Sequence, residues 1–427
     1  MTGGAGGVGL LSSPARASAP RAAAVAGNRW TDVAVPALGH WSPERRVTVV
    51  VPYHQAPTEL ARTLAGLSRQ SYPRELLQVV VVDDGSQPPL APPASGGGLR
   101  VHVVRQDDRG YGLARARNTG AAVAGGEAVV FLDCDMVPEA WQVESHARWH
   151  HVVGDALVVG SRRHVTFDGV GPAALTALPA GAGVDLLVGE RPQVVPDHIE
   201  RNLARTDQLT SRHTDLFRVV SGGNLSVLAE TFHRLGGFDE TFAQWGAEDT
   251  ELGFRAFTDG ALLVPDRQAL CWHQGLPGYV TEAKQRSLQE QRAKIAHLIA
   301  HPGFRHCSQG RSYRVPRVVV TVRAGDAGAA DLERVVESVL RNRFHDLVVV
   351  LDVSEAHPQV VWLRRQLGPD PRVWVGAGID GDALFPNAPL RMTLTPTCEL
   401  GPDAVERLVR LVDDPVEGVG AIRVTVP

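Results

Sequence analysis

The feature that most constrains this chain is a run of β-branched residues, Val47-Thr-Val-Val-Val51, closed by Pro52. A strand apolar on both faces must be covered on both faces, so the run predicts an inner strand of a parallel sheet. Val79-Val-Val-Val82 repeats the pattern, residues 100–104 give a third strand, and Ala128-Val-Val-Phe-Leu132 a fourth. Between them, Leu60, Leu64 and Leu67 recur at helical spacing, and residues 114–124 read as a second helix. Strands alternating with helices predict an α/β fold, a Rossmann-like, mostly parallel sheet in an α/β/α sandwich. In such sheets ligands gather at the carboxyl ends of the strands. Asp83, Asp84, Asp133 and Asp135 all fall there.

A chain of 427 residues exceeds one ordinary core, so more than one domain is expected. Its net charge of −4 gives no electrostatic reason to expect a nucleic-acid partner or an anionic membrane. The four cysteines, Cys134, Cys271, Cys307 and Cys398, lack CxxC spacing, which argues against a zinc ribbon or disulfide framework. That usage fits a reducing compartment, and the expected location is cytoplasmic. No apolar run is long enough to be a transmembrane segment, although peripheral membrane contact stays open.

Residues 1–45 read as a disordered tail, rich at the start in Gly, Ala, Ser and Pro. Residues 46–312 form the expected catalytic domain. Within it, 169–189 lacks periodicity and reads as a mobile loop over the site, 250–257 as a helix and 281–300 as a long helix. Residues 313–427 repeat the opening pattern. Val318-Val-Val-Thr-Val322 matches the first strand, and Leu347-Val-Val-Val-Leu351-Asp352 overlays the strand that ends in Asp83-Asp84. Thr397-Cys398-Glu399 then overlays Asp133-Cys134-Asp135, with Pro402 on Pro138. This predicts a degenerate second copy that has lost its acidic residues.

Several constellations carry chemistry. Asp133 and Asp135 are a pair of hard oxygen donors suited to Mn²⁺ or Mg²⁺, which keeps positions open for a diphosphate. His273, between Trp272 and Gly275, is a candidate third ligand, and an imidazole favours Mn²⁺. Asp83-Asp84-Gly85-Ser86 closes a buried strand, where a carboxylate can accept from a base or a ribose hydroxyl. The segment Arg109 to Gly120 places arginines and small residues at a helix start, suited to phosphate. Ser221-Gly222-Gly223-Asn224 allows close backbone approach to a donor sugar. Trp245-Gly-Ala-Glu248-Asp249 offers an aromatic platform and two carboxylates, one to deprotonate an acceptor hydroxyl and one to hold a sugar. Each has a blander reading: an acidic turn, a solvated basic helix face, or acids favoured by a helix dipole.

As an ordered set, Val51-Pro52-Tyr53, Asp83-Asp84-Gly85-Ser86, Ala116-Arg117-Asn118-Thr-Gly120, Asp133-Cys-Asp135, Gly222-Gly223-Asn224, Gly236-Gly237-Phe238-Asp239 and Trp245-Gly-Ala-Glu248-Asp249 resemble the family 2 glycosyltransferases of the GT-A fold. The resemblance covers roughly Val47 to Gly275. The closing segment also resembles the galactosyltransferase-type carboxyl region of chondroitin-polymerase-like and polypeptide N-acetylgalactosaminyl transferases. It implies a GT-A domain followed by a smaller, degenerate GT-A-like α/β domain. It further implies that Pro52, Tyr53, Asp83, Asp84, Arg117, Asp133, Gly223, Asn224 and Trp245 contact the nucleotide-sugar. Asp135 and His273, with Asp133 adjoining, would hold the metal. Asp249 would be the catalytic base of an inverting reaction, and Glu248 would bind sugar. The implied reaction moves a hexose or N-acetylhexosamine from a UDP-sugar to a glycan, peptide or small-molecule hydroxyl. Alternatives are a retaining transferase of similar fold, a sugar-nucleotide nucleotidyltransferase, or a non-catalytic binding protein. Against the nucleotidyltransferase, Pro52-Tyr53-His54-Gln55 stands where a Gly-rich basic loop belongs.

Overall fold

The computed structural model describes residues 26–92, 98–278, 281–305 and 311–414. Eight strands build the larger sheet: β1 (Val47–Tyr53), β2 (Leu77–Asp84), β3 (Arg100–Gln106), β4 (Ala128–Leu132), β5 (Met136–Pro138), β6 (Ala156–Val165), β7 (Asn224–Leu228) and β8 (Leu262–Gln274). Their order is β3-β2-β1-β4-β7-β6-β8-β5. Neighbours from β3 to β4, and the β6/β8 pair, run parallel; β7 is antiparallel to β4 and β6, and β5 to β8. Helices α1 (Pro57–Leu67), α2 (Leu113–Ala122) and α3 (Gln142–Val152) cover the faces, followed by the short α4 (Pro172–Thr176) and α5 (Asp185–Val188), then α6 (Asp197–Arg205), α7 (Ala229–Arg234), α8 (Glu248–Thr258) and α9 (Glu282–Leu298).

The valine runs work as inner strands because alternate residues feed separate cores. Val50, Val80, Val82, Val129 and Phe131 pack into one cluster with α2 and α8. Val49, Val51, Val79, Val81, Val130 and Leu132 pack into the other with Leu60 and Leu67 of α1 and Val143 and Ala147 of α3. Each such side chain contributes roughly 1.5–3 kcal/mol by leaving water. α2 approaches closely because Gly120 has no Cβ: one there would lie 2.3 Å from Val50 Cγ1.

Two expectations are corrected. The tail assigned to 1–45 is ordered over its described part. Asn28 Nδ2 donates to the carbonyls of Leu209 and Leu263, both at 2.9 Å, and Trp30 Nε1 to the Gln208 carbonyl at 2.7 Å. Polar anchors and an edge-on Trp30–Trp149 contact hold it; residues 1–25 lie outside the described residues. The stretch 169–189 is no open loop either. Val170, Leu175, Val184 and Val188 bury against Phe167 and Trp272, and Arg62 of α1 donates to the Val170 carbonyl at 2.7 Å. Its apolar residues find a core although their spacing shows no period.

A second sheet holds β9 (Val318–Arg323), β10 (Leu347–Asp352), β11 (Val373–Gly376) and β12 (Leu390–Leu394), all parallel, in the order β11-β10-β9-β12. That is the order β3-β2-β1-β4 again. The helices α10 (Ala329–Leu340), α11 (Val360–Leu367), α12 (Gly381–Leu384) and α13 (Ala404–Asp413) accompany it. Leu351 is fully buried, and Thr397 stands where the first copy has Asp133. Among the described residues no helix is long and apolar enough to cross a membrane.

Candidate active site

The carboxyl ends of β4, β6 and β8 converge with the start of α8. At the centre lies Arg117. It shares a helix face with Ala114, Gly120 and Ala121, all pressed to the sheet, so its side chain is carried inward and is 1% exposed. Nη2 donates to Asp133 Oδ1 and Nη1 to Glu248 Oε1, each at 2.9 Å. The Phe238 ring lies 5.1 Å from the guanidinium carbon. Asn118 holds that ring in place by exchanging hydrogen bonds of 2.9 Å with the Phe238 backbone. The resemblance placed Arg117 facing the nucleotide; in the structure its guanidinium is buried and spent on Asp133 and Glu248.

The glycine turn explains itself at this point. A Cβ on Gly222 would lie 2.5 Å from Arg117 Nη1, and one on Gly223 would lie 2.4 Å from Asp133 Oδ2. The Gly222 amide donates to Asp249 Oδ2 at 3.1 Å, and the Thr250 amide to Oδ1 at 2.7 Å. Asn224 differs from expectation: its side chain, 2% exposed, is fixed inside the core. It accepts from Gln142 Nε2 at 2.8 Å, meets His146 Nε2 at 2.9 Å and donates to the Ala269 carbonyl at 2.7 Å. Asn224 anchors the turn and leaves only backbone for a ligand.

Glu248 and Asp249 open α8, where the helix dipole favours anions. Burial, and then the neighbouring Asp249, push the Glu248 carboxyl up to about 7 against the pull of Arg117. The loop before it is constrained. Gly246 and Ala247 have φ of 102° and 76°, the latter a left-handed conformation that strains a residue with a Cβ. Ser287 and Gln291 of α9 hold this loop by donating to the Trp245 carbonyl at 3.0 and 3.1 Å. The Trp245 ring is 40% exposed, with Lys284 Nζ 4.8 Å from its centroid.

The metal set assembles only in part. His273 Nε2 lies 3.3 Å from Asp135 Oδ2, and this contact holds the Asp135 carboxyl low and the imidazole high. Asp133 is drawn away by Arg117, and among the described residues no group of three or more His, Cys, Asp or Glu is placed to share an ion. Of the three expected ligands, Asp135 and His273 meet, while Asp133 is paired with Arg117. An oxygen and an imidazole nitrogen on one side of a cleft fit a divalent ion whose other positions are filled by substrate oxygens.

Asp83 and Asp84 are also engaged. Asp83, 1% exposed, accepts from the Ser86 amide at 2.9 Å, the Leu90 amide at 3.0 Å and Arg105 Nη1 at 2.6 Å. These bonds hold its carboxyl below the usual range despite burial. Asp84 accepts from Gln106 at 2.7 Å and Arg115 at 3.1 Å. Both carboxylates shape the loop after β2. Pro52 and Tyr53 end β1 beside them in register with Val82 and Asp83, and are buried.

Two residues escaped the sequence reading. A register shift after Gly160 pairs Arg162 with Cys271 and His164 with His273. The two imidazoles stack with centroids 4.2 Å apart, and burial pushes His164 down to about 4. Their signal was the polar run Ser161-Arg162-Arg163-His164 that closes an otherwise apolar strand, of which Arg162 and His164 share one face.

Residues 48–177 match the family described as Glycosyl transferase family 2, and residues 213–263 match the N-terminal domain of galactosyltransferase. Chondroitin synthase of Escherichia coli is 28% identical over 77% of this chain and 49% of its own length. Hyaluronan synthase of Pasteurella multocida is 27% identical over 77% of this chain and 35% of its own. Validoxylamine A glucosyltransferase of Streptomyces hygroscopicus subsp. jinggangensis is 31% identical over 52% of this chain and 54% of its own. The chain thus spans about half, or less, of the length of the first relatives it matches.

Proposed function

We propose that the first domain, in which residues 48–177 match the Glycosyl transferase family 2 model and residues 213–263 the N-terminal domain of galactosyltransferase, is a GT-A glycosyltransferase that transfers a hexose or N-acetylhexosamine from a UDP-sugar to a hydroxyl acceptor, with inversion. The observation that carries the reading is the Gly222-Gly223 turn. It lies against Arg117 and Asp133 on one side and donates to Asp249 on the other, so donor and acceptor groups share one backbone segment.

Asp249, less buried than Glu248 and oriented by the Gly222 and Thr250 amides, takes the proton of the acceptor hydroxyl. The acceptor oxygen attacks the anomeric carbon, and the bond to the diphosphate oxygen breaks. Glu248, fixed by Arg117, holds a sugar hydroxyl, and Trp245 presents its exposed ring to a sugar face. Asp135 and His273 would hold a Mn²⁺ or Mg²⁺ ion, which as a Lewis acid stabilises negative charge on a departing diphosphate. The second sheet serves as a non-catalytic docking or structural domain, since Leu351 and Thr397 stand in place of carboxylates.

The test is incubation with a panel of UDP- and GDP-sugars and hydroxyl acceptors, with and without Mn²⁺, followed by chromatography of the nucleotide product. Release of a nucleoside diphosphate is expected. Release of pyrophosphate, or no release with any donor, would refute the reading. Proton NMR of the product linkage checks inversion: an α-linkage from an α-donor would remove Asp249 as the base.

A further inference from the structure

We propose that Arg162 is a donor-binding residue: it grips the diphosphate of the nucleotide-sugar beside Asp135 and His273. This deepens, and rests on, the glycosyl-transfer reading above.

The argument begins with charge matching. The well-buried guanidinium groups of the first domain have carboxylate partners: Arg117 has Asp133 and Glu248, Arg148 has Asp266, and Arg255 has Glu251; the part-buried Arg62 and Arg69 have none, but spend their donors on backbone carbonyls. Arg162, partly buried on β6, has no carboxylate within ion-pair distance among the described residues. Its one hydrogen bond runs from Nη1 to Ser221 Oγ at 3.1 Å, and its Nε is enclosed with no partner. Donors withdrawn from water and left unused are unfavourable unless an anion arrives to accept from them.

Position names the anion. The register of β6 and β8 puts Arg162 and His164 on one face, with His164 stacked on His273 and His273 against Asp135. On its other side, Ser221 leads directly into Gly222-Gly223, the turn that touches Asp133 and Asp249. Arg162 therefore stands between the glycine turn and the Asp135–His273 pair. Its charge is felt at Asp135, His273 and His198 alike. A guanidinium offers paired N–H groups that match phosphate oxygens. As the bond from the anomeric carbon to the diphosphate oxygen breaks, its electron pair remains on that oxygen, and Arg162, without a carboxylate partner among the described residues, stands where it can stabilise the charge.

Calorimetric titration of the full chain with UDP, UMP, GDP and GMP at saturating Mn²⁺ tests this, comparing wild type with Arg162→Gln and Arg162→Lys. Losing a charge-assisted contact of this kind should weaken diphosphate binding roughly 10- to 100-fold. Monophosphate binding should change by less than about twofold, because the second phosphate is what Arg162 reads. Arg162→Lys should recover part of the loss, since a point charge remains without the fork. Parallel weakening of both nucleotides, or an unchanged preference for the diphosphate, overturns the assignment while leaving glycosyl transfer intact. A wild-type chain that binds no nucleoside diphosphate overturns both.

Discussion

Arg117, itself buried, sets one positive charge between the buried Glu248 and the part-exposed Asp133. Removing it strands buried charge, which costs about 3–5 kcal/mol. We expect Arg117→Met to lower stability by that amount in urea titration and to abolish donor turnover; a loss under 1 kcal/mol would show the pairs to be incidental. Glu248 gives a pH signature. Its carboxyl is raised to about 7, so the unfolded chain gives up this proton first. Stability from this group is full at low pH and is lost as pH climbs from the ordinary carboxylate range through 7. At ~1.4 kcal/mol per pH unit this is about 3 kcal/mol, and Glu248→Gln should flatten the stability curve over that window. A mutant slope equal to wild type would refute it. The acids of this site were legible in the sequence because they close strands and open a helix. Their pairings were not: that Arg117 pairs with Asp133 depends on how closely α2 lies on the sheet, which Gly120 sets.

At the scale of elements, α3 presents two imidazoles to the core. His146 Nδ1 and His150 Nε2 both meet Ser226 Oγ, at 2.9 and 2.8 Å, and burial pushes the rings down to about 4 and about 3. Both are neutral in the fold, while the unfolded chain protonates them near their ordinary value. Stability is therefore full above that value and falls as pH drops from about 6.5 toward 4. The urea midpoint should decline over that range, and ¹³C-histidine NMR should show His146 and His150 among the imidazoles that do not titrate above pH 5, together with His164 and His301. If every histidine titrates near 6.5, the buried network is misassigned. The inner strands were legible because their residues are apolar at every position. Residues 169–189 were not, since their buried positions follow no period. Nor was the pairing of His164 with His273, which a bulge of residues 267–269 in β8 decides.

The whole molecule is joined through Arg305. This buried guanidinium donates to the Ala296 carbonyl of α9 at 2.7 Å, to the Val315 carbonyl at 2.6 Å and to Asp346 ahead of β10. Asp346 also accepts from the Arg317 amide at 3.0 Å. Asp346→Ala leaves the guanidinium unmatched and should cost about 3–5 kcal/mol, borne by the smaller sheet. Scanning calorimetry should then resolve an early transition ahead of the main one; a single transition shifted as a whole would show the sheets to be one cooperative unit. The repeated strand order, β3-β2-β1-β4 and β11-β10-β9-β12, bears on how the chain is made. Each sheet is centred on a similar valine-rich ribbon, β1 and β9, so each ribbon resembles what the other's neighbours pair with. During synthesis the first ribbon meets its neighbours before the second has left the ribosome, so the order of emergence separates them. Dilution from denaturant removes that order and releases both ribbons at once, which makes swapped pairings the natural failure of this architecture in a test tube.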